Sequence, residues 1–174
     1  SPKLTYNPGS ASSSQSTMVN SSGEIVWAPH NLVEYSEDFS QWDENNTTVT
    51  TNASLAPDGA LTADLLTADG AAGTHRRRQT ISTEIGVEYT FSVWVKNVDA
   101  IAVIITLTYS GAADYYHAVV VDPTDWTISQ KSTGVNATEV SSSVTVGDDD
   151  WALVEIQART NDTLSFNNAG VSLV

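Results

Sequence analysis

The sequence predicts an all-β protein, a two-layer antiparallel β-sandwich preceded by an extended N-terminal arm, and three observations support this. From Asn31 onward, short segments rich in Val, Ile, Thr and aromatic residues alternate with clusters of Gly, Asn and Asp, about every ten residues. Residues 1 to 22 are instead dominated by Ser, Asn, Thr, Gly and Pro, and they contain almost nothing to bury. The length of 174 residues suits one folded domain with a short appendage.

Residues 1–23 form the predicted arm, and residues 24–174 form the predicted sandwich. Two interpretations of the arm stay open, a flexible linker or a segment that becomes ordered when it docks on a partner. The apolar run Ile25, Val26 and Trp27, closed by Pro29, is where the arm could be anchored. The chain begins at Ser1 without a methionine or the regions of a signal peptide, which indicates a processed product or the ordered part of something longer.

The strands are predicted from alternation and from β-branched enrichment. The clearest are Glu88 to Asn97, Ile101 to Tyr109, Tyr115 to Val121 and Trp151 to Thr160. Weaker candidates are Thr47 to Asn52, Thr74 to Ile81, Trp126 to Lys131, Thr138 to Val146 and Ser165 to Leu173. Only Ala60 to Leu66 has helical composition, and it is too short for more than a turn of helix or a covering segment. Eight or nine strands of this kind fit a two-layer sandwich.

Period-two alternation assigns residues to the two faces of each strand. It places Tyr89, Phe91, Val93 and Val95 in the core, together with Ala152, Val154, Ile156 and Ala158. The opposite faces carry aromatic rings among polar groups, the combination that a sugar site requires, because a pyranose stacks on a flat ring and its hydroxyls need planar polar partners. The candidate glycan-binding residues are Trp94, Lys96, His117, Trp151, Gln157 and Arg159, of which Trp94 is the best platform. Trp27 and Trp42 follow loops and are expected to close an end of the sandwich.

Charge and composition exclude several classes of function. The chain has 7 Lys and Arg against 21 Asp and Glu, so its net charge of −14 repels nucleic acid, which we do not expect as a partner. The absence of cysteine excludes disulfides, thiolate metal sites and a cysteine nucleophile. No run of apolar residues is long enough for a membrane span. His30, His75 and His117 have no metal-ligand spacing, and no hydrolase or NTPase motif is present, so we predict no enzymatic activity.

Two charge runs each allow two interpretations. Arg76, Arg77 and Arg78 either neutralise nearby acidic residues or cross a subunit contact, or they form a clamp for an anionic sugar such as a uronate. Asp148, Asp149 and Asp150 form a solvated turn, or else a cation site or a salt link to an Arg-rich neighbour.

An ordered series of segments resembles a module that is repeated in tailed-bacteriophage virion proteins. The series consists of Asn31 to Trp42, Ala56 to Gly59, Thr62 to Leu66, Gly73 to His75 and Tyr89 to Lys96, and it ends with Trp151 to Ile156 and Val171 to Leu173. The resemblance runs from Asn31 to the end of the chain. It implies a jelly-roll β-sandwich related to the carbohydrate-binding modules of xylanases and cellulases, carried on a fibre, spike or decoration of a virion, without catalytic activity.

The expected function is therefore host attachment through cell-surface polysaccharide. The arm is expected to contact other virion proteins, and a homo-oligomer, a trimer by analogy, is expected. One alternative is a capsid or tail decoration protein whose sandwich makes only protein contacts. Another is a glycan-degrading spike enzyme, which would need two facing carboxylates.

The related carbohydrate-binding modules often hold a structural calcium ion, which needs six to eight oxygen ligands. Here the segment before the last strand, Asn167 to Gly170, contains no carboxylate. Glu37, Asp38 and Asn168 would supply only part of the shell, so no cofactor is expected unless other ligands complete a calcium site there.

Overall fold

The computed structural model describes residues 17–19, 22–27 and 31–174, without the side chains of residues 17–19, 26 and 27. Strands account for 53% of the structure and helices for 2%, which confirms the predicted all-β class. The chain divides into two compact units, Ser1–Asn31 and Leu32–Val174. Among the described residues, no helix has the length and apolar character that crossing a membrane requires.

The described residues of the N-terminal unit form an antiparallel pair of short strands, β1 (Thr17–Val19) and β2 (Ile25–Trp27). This pair spans residue 23, the predicted end of the arm. Most of the predicted arm lies outside the described residues, as do Pro29 and His30. The interpretation of the arm as a linker or as a docking segment therefore stays a prediction.

The second unit contains a 3₁₀ helix and eleven strands. The helix is Phe39–Gln41, and the strands are β3 (Asp43–Asn45), β4 (Thr47–Ser54), β5 (Ala63–Ala68), β6 (His75–Thr80), β7 (Tyr89–Lys96), β8 (Val103–Thr108), β9 (Tyr116–Asp122), β10 (Thr127–Thr133), β11 (Ala137–Val146), β12 (Trp151–Thr160) and β13 (Asn168–Leu173). They form a six-stranded sheet in the order β10-β9-β8-β13-β6-β3, a three-stranded sheet in the order β11-β12-β7, and the β4–β5 hairpin.

The chain crosses repeatedly between the two larger sheets. It passes from β6 in the six-stranded sheet to β7 in the three-stranded sheet and back to β8, and β13 finally inserts between β6 and β8. All of these pairings are antiparallel. Such crossing connections are those of a two-sheet jelly roll. The predicted antiparallel sandwich is thus confirmed.

All nine predicted strands are present, with ends that differ by a few residues. The prediction of a helical turn or covering segment at Ala60 to Leu66 is wrong, because this stretch enters β5, which pairs with β4. In that pairing Leu66 lies opposite Val49. Cross-strand hydrogen bonds and apolar pairs stabilise a strand in a segment that is too short to form a stable helix.

The core lies between the two larger sheets. Val154 and Ile156 of β12 have no exposed surface, and Phe91 of β7 is 6% exposed, as alternation predicted. Burying each such side chain contributes about 1.5–3 kcal/mol. Trp42 is also buried, and its ring lies 4.5 Å from the ring of Phe39, so it closes the core as expected. The six-stranded sheet contributes Val103, Ile105, Leu107, Val119, Val121, Ala169 and Val171 to this core.

Candidate functional site

A cleft of about 910 Å³ lies beside β7, which is an edge strand of the three-stranded sheet. Its lining comes from β7, from the β4–β5 hairpin and from the end of β13. Asp64 of the hairpin accepts a hydrogen bond from the backbone N–H of Phe39 at 2.8 Å, outside the hairpin, and one from the N–H of Asn52 at 3.0 Å, within it. Both carboxylate oxygens of Asp64 accept backbone hydrogen bonds, so we assign Asp64 a structural role in the wall of the cleft rather than a role in ligand binding.

Trp94 is the exposed aromatic residue of this cleft. It lies on the outer face of β7, directly opposite Leu153 of β12, and 41% of its surface is exposed. The loop between β11 and β12 limits where its ring can lie, because Gly147 meets the edge of the ring. The structure thus presents a half-exposed indole at the cleft, and its role as a glycan platform stays a prediction.

Charged side chains also line the cleft that contains Trp94. Lys96, two residues further along the same face of β7, is exposed and lines the cleft. No ion pair to Lys96 occurs within residues 31–174. Exposed carboxylates of Glu37, Asp58 and Asp99 also line it. The cleft therefore combines an aromatic surface with the Lys96 donor and with carboxylate acceptors, of which Asp58 already accepts one hydrogen bond, from the Ala60 N–H at 2.9 Å.

The structure buries most of Trp151, which the sequence analysis named as a candidate glycan-binding residue. It lies on the outer face opposite Lys96, as alternation predicted, and it lines the cleft, but only 8% of it is exposed. Alternation assigns the face of a residue and carries no information about what covers that face. Trp151 contributes to the apolar base of the cleft rather than to a platform.

The prediction that His117 binds glycan is wrong, because the side chain is fully buried on the inner face of β9. Its Nδ1 lies 2.9 Å from the Thr133 hydroxyl and its Nε2 lies 3.0 Å from the Ser142 hydroxyl. Burial lowers the pKa of His117, the nearby Glu139 carboxylate raises it, and Lys131 lowers it further, with a net downward shift. The two faces of this strand are almost equally apolar, so the sequence alone did not identify the inner one.

Gln157 and Arg159 share the outer face with Trp94 but lie outside the cleft. They follow Leu153 by four and six residues, which corresponds to about 13 and 20 Å along β12. Gln157 accepts a hydrogen bond from the Ser141 hydroxyl at 3.2 Å, and Arg159 donates to the Glu88 carboxylate at 3.2 Å. The structure therefore does not bring these two candidates together with the platform.

The three consecutive arginines are separated by the alternation of β6. Arg77 points inward and is 5% exposed. It donates to the carbonyl groups of Trp42 at 3.1 Å and Thr47 at 2.8 Å, and it lies 3.2 Å from the Glu44 carboxylate. The prediction that Arg77 binds an anionic ligand is therefore wrong. Its guanidinium instead joins Trp42, Glu44 and Thr47 at the edge of the sheet. Arg76 and Arg78 lie on the outer face.

Asp38 and Asn168, two of the residues named for a calcium site, make hydrogen bonds within the fold, and the calcium site stays a prediction. The Asp38 carboxylate accepts from the Ser40 backbone N–H at 3.0 Å, and hydrogen bonding to the Ser40 side chain is the main cause of its lowered pKa. The Asn168 amide donates to the Ser110 hydroxyl at 2.9 Å. Within the described residues, no group of three or more acidic or histidine side chains could hold a metal ion. Asp148 to Asp150 likewise form no such metal-binding group. They lie in a turn in which Asp149 and Asp150 adopt φ values of 55° and 64°.

The contribution of the hairpin to the cleft was not predicted from the sequence. Asp58 and Leu65 come from the hairpin, and both line the cleft together with residues of β7. The turn at Ala56 to Gly59 was recognised, but its position next to Trp94 depends on contacts between residues distant in sequence. No family model matches this sequence, and a search of curated proteins finds no relative.

Proposed function

We propose that this chain is a non-catalytic, glycan-binding module of a bacteriophage virion, of the fibre or spike type, that attaches to polysaccharide on the host surface. The observation that carries the proposal is Trp94, which is 41% exposed in a cleft of about 910 Å³ that Lys96 also lines, and Lys96 has no ion pair within residues 31–174. The resemblance of residues 31–174 to a phage virion module supports its place on the particle. The proposal includes no bond-breaking step.

The geometry of the cleft suits a sugar ring. A pyranose has an apolar face that stacks on an indole, and the ring edge carries hydroxyl groups that need donors and acceptors. Lys96 donates, and the carboxylates of Asp58 and Asp99 accept. The cleft volume of about 910 Å³ lies within the range of small-molecule sites.

A shallow site of this kind binds a single sugar weakly, and multivalency compensates. In a homo-oligomer, a trimer by analogy, a second contact is made at a high effective concentration, which raises the overall affinity without any new contact within one subunit. The N-terminal arm would supply the attachment to other virion proteins. This arrangement fits a module that adheres to a repetitive polysaccharide.

The test uses the full chain on an array of neutral and anionic bacterial surface polysaccharides. We expect binding that weakens by about tenfold or more in Trp94→Ala, because truncating a central aromatic residue of a binding site costs about 1–2 kcal/mol or more. Trp94→Phe should retain part of the binding. Val135→Ala is the matched control, since Val135 is 80% exposed and lies outside the cleft.

Three outcomes contradict the proposal in different ways. Absence of binding to every polysaccharide by the assembled oligomer would favour a decoration protein held by protein contacts alone. Binding that is unchanged in Trp94→Ala would move the site away from the cleft. Release of new reducing ends from a bound polysaccharide would show a spike enzyme.

A further inference from the structure

The charged side chains that line the cleft of Trp94 are mostly acidic. Among the described residues of this lining, Glu37, Asp58, Asp64 and Asp99 carry carboxylates, and Lys96 carries the only positive charge. The carboxylates come from the segment before the 3₁₀ helix, from the β4–β5 hairpin and from the loop that follows β7. The acidic character therefore belongs to the cleft as a whole and not to one stretch of sequence.

Two of these carboxylates have no partner in the described part of the fold. Asp64 accepts backbone hydrogen bonds with both of its oxygens, and Asp58 accepts one from the Ala60 N–H at 2.9 Å. Glu37 and Asp99 are exposed, and neither makes an ion pair or a side-chain hydrogen bond within residues 31–174. Their charges are therefore not offset by a salt bridge, and a ligand in the cleft meets them.

The other described cations do not reach the cleft. Arg76, Arg77 and Arg78 belong to β6, Lys131 belongs to β10, and Arg159 lies near the end of β12, and none of these five residues lines the cleft. A carboxylate or phosphate on a ligand would therefore meet several negative groups and one ammonium group. Like charges that are brought together in a binding site oppose binding.

We propose that the cleft is selective for polysaccharide without carboxylate or phosphate groups, and that Glu37 and Asp99 are the residues that set this selectivity. The inference rests on the function proposed above, and it names the class of polysaccharide that the site of Trp94 takes. Sugar hydroxyls can donate hydrogen bonds to free carboxylates, whereas an acidic group in the same place is repelled. Specificity of this kind combines attraction for one ligand with repulsion of its competitor.

The local carboxylates must be separated from the charge of the whole chain, because a net charge of −14 already repels acidic polymers. Asp162 offers the comparison, since it is exposed and does not line the cleft. It follows β12, whose ten residues span about 30 Å from Trp151 in the lining of the cleft. Asp162→Asn changes the net charge as much as Asp99→Asn does, but it does so at a distance that salt screens effectively.

The test measures every polysaccharide that the full chain binds on the array in both a neutral and an acidic form. A neutral polysaccharide is oxidised at its primary hydroxyls to carboxylates, and an acidic one loses its charge by carboxyl reduction or dephosphorylation. Methyl esterification of the new carboxylates is the chemical control, because it removes the charge and keeps the oxidised carbon. We expect the neutral form to bind about tenfold more tightly at about 10 mM salt, and the two forms to bind almost equally at about 1 M salt, where charges are screened within about 3 Å.

Variants of the full chain assign the selectivity to residues. Glu37→Gln and Asp99→Asn should each reduce the ratio of the two affinities by about threefold, and Lys96→Gln should increase it. Asp162→Asn is the matched control and should change the ratio by less than about 1.5-fold. Thermal unfolding of the same variants confirms that each one is folded.

The outcomes separate this inference from the proposed function. Absence of binding, or binding that is unchanged in Trp94→Ala, would contradict the proposed function and this inference with it. Binding that is lost in Trp94→Ala but is as tight for the acidic form as for the neutral form would overturn the selectivity and leave the glycan site in place. An equal reduction of the ratio by Asp162→Asn and Asp99→Asn would assign the selectivity to the net charge of the chain and overturn the role of the cleft residues.

Discussion

Gly147 lies close to the Trp94 ring and limits where this half-exposed ring can lie. A Cβ at position 147 would lie 3.0 Å from Cζ3 and 3.3 Å from Cη2 of the Trp94 ring. Gly147 belongs to the loop between β11 and β12, where its N–H donates to the Trp151 carbonyl at 2.7 Å. The loop therefore limits the position of the indole on one side, and the pairing of Trp94 with Leu153 places the residue on the outer face of β7.

Replacing Gly147 tests this relationship. Gly147→Val would force the Trp94 ring or the loop to move, because the ring cannot approach a β-branched side chain as closely as it approaches glycine. We expect glycan affinity to fall by about tenfold, as for Trp94→Ala, while the protein stays folded. Isothermal titration calorimetry with the polysaccharide found on the array measures the effect. Gly70→Val is the control, since a Cβ at Gly70 meets no atom within 4 Å, and wild-type affinity in Gly147→Val would show that the ring position does not matter.

Arg77 is predicted to stabilise the fold. In Arg77→Met the carbonyl groups of Trp42 and Thr47 lose their donors, and each buried unsatisfied group costs about 1–3 kcal/mol. The pair with Glu44 adds little, since that carboxylate is 72% exposed. We expect a loss of about 2–4 kcal/mol in urea unfolding followed by circular dichroism. Arg159→Met should change stability by less than about 0.5 kcal/mol, and equal losses in both variants would contradict the role of Arg77.

The core could be predicted from alternation because a two-layer sandwich buries one face of each strand. The prediction holds best at Val154 and Ile156, which lie in the middle strand of the three-stranded sheet. It is weaker for Val93 and Val95 of the edge strand β7, which are only half-buried. Alternation reports the face, and the place of a strand within its sheet decides how completely that face is covered.

The candidate site was less predictable, because most of it depends on contacts between distant segments. Trp94 was identified as an aromatic residue on a polar face, but the hairpin that completes its cleft was not. The separation of the arginines had a signal that was available, since three consecutive residues of one strand cannot share a face. The predicted strand Thr74 to Ile81 already implies that Arg77 lies on the face opposite Arg76 and Arg78, but the three arginines were nevertheless treated as one cluster. The burial of His117 had no such signal, because both faces of its strand are similar.

A cavity in the core should destabilise the protein in proportion to the volume removed. Ile156 has no exposed surface, so we expect Ile156→Val to cost about 0.5–1.5 kcal/mol and Ile156→Ala about 2–5 kcal/mol. Urea unfolding measures both. Val135→Ala is the surface control, since Val135 is 80% exposed and its truncation should cost less than about 0.5 kcal/mol. A cost for Ile156→Ala no larger than that of the surface variant would place Ile156 outside the packed core.

His117 makes the stability of the fold depend on pH. Burial lowers the pKa of His117 below its ordinary value of 6.5, so the unfolded chain binds a proton that the folded chain excludes as the pH falls through that range. Its contribution to stability is therefore complete above pH 6.5 and is lost as the pH falls from there through the lowered pKa. The carboxylate of Glu139 faces the same site, but its pKa is lowered from 4.5, chiefly by its hydrogen bond with Lys131, so it stays charged in this range.

Urea unfolding at about pH 7.5 and about pH 5.5 measures this dependence, and His117→Gln isolates it. The glutamine side chain is neutral at both values and can still bond the hydroxyls of Thr133 and Ser142 that lie next to the imidazole. We expect the wild type to lose more unfolding free energy than the variant when the pH is lowered. The comparison uses the difference between the two pH values, so a general loss of stability from repacking cancels. An equal loss in both proteins would show that the titrating group is elsewhere, and a gain in the wild type at low pH would show that His117 is charged in the folded state.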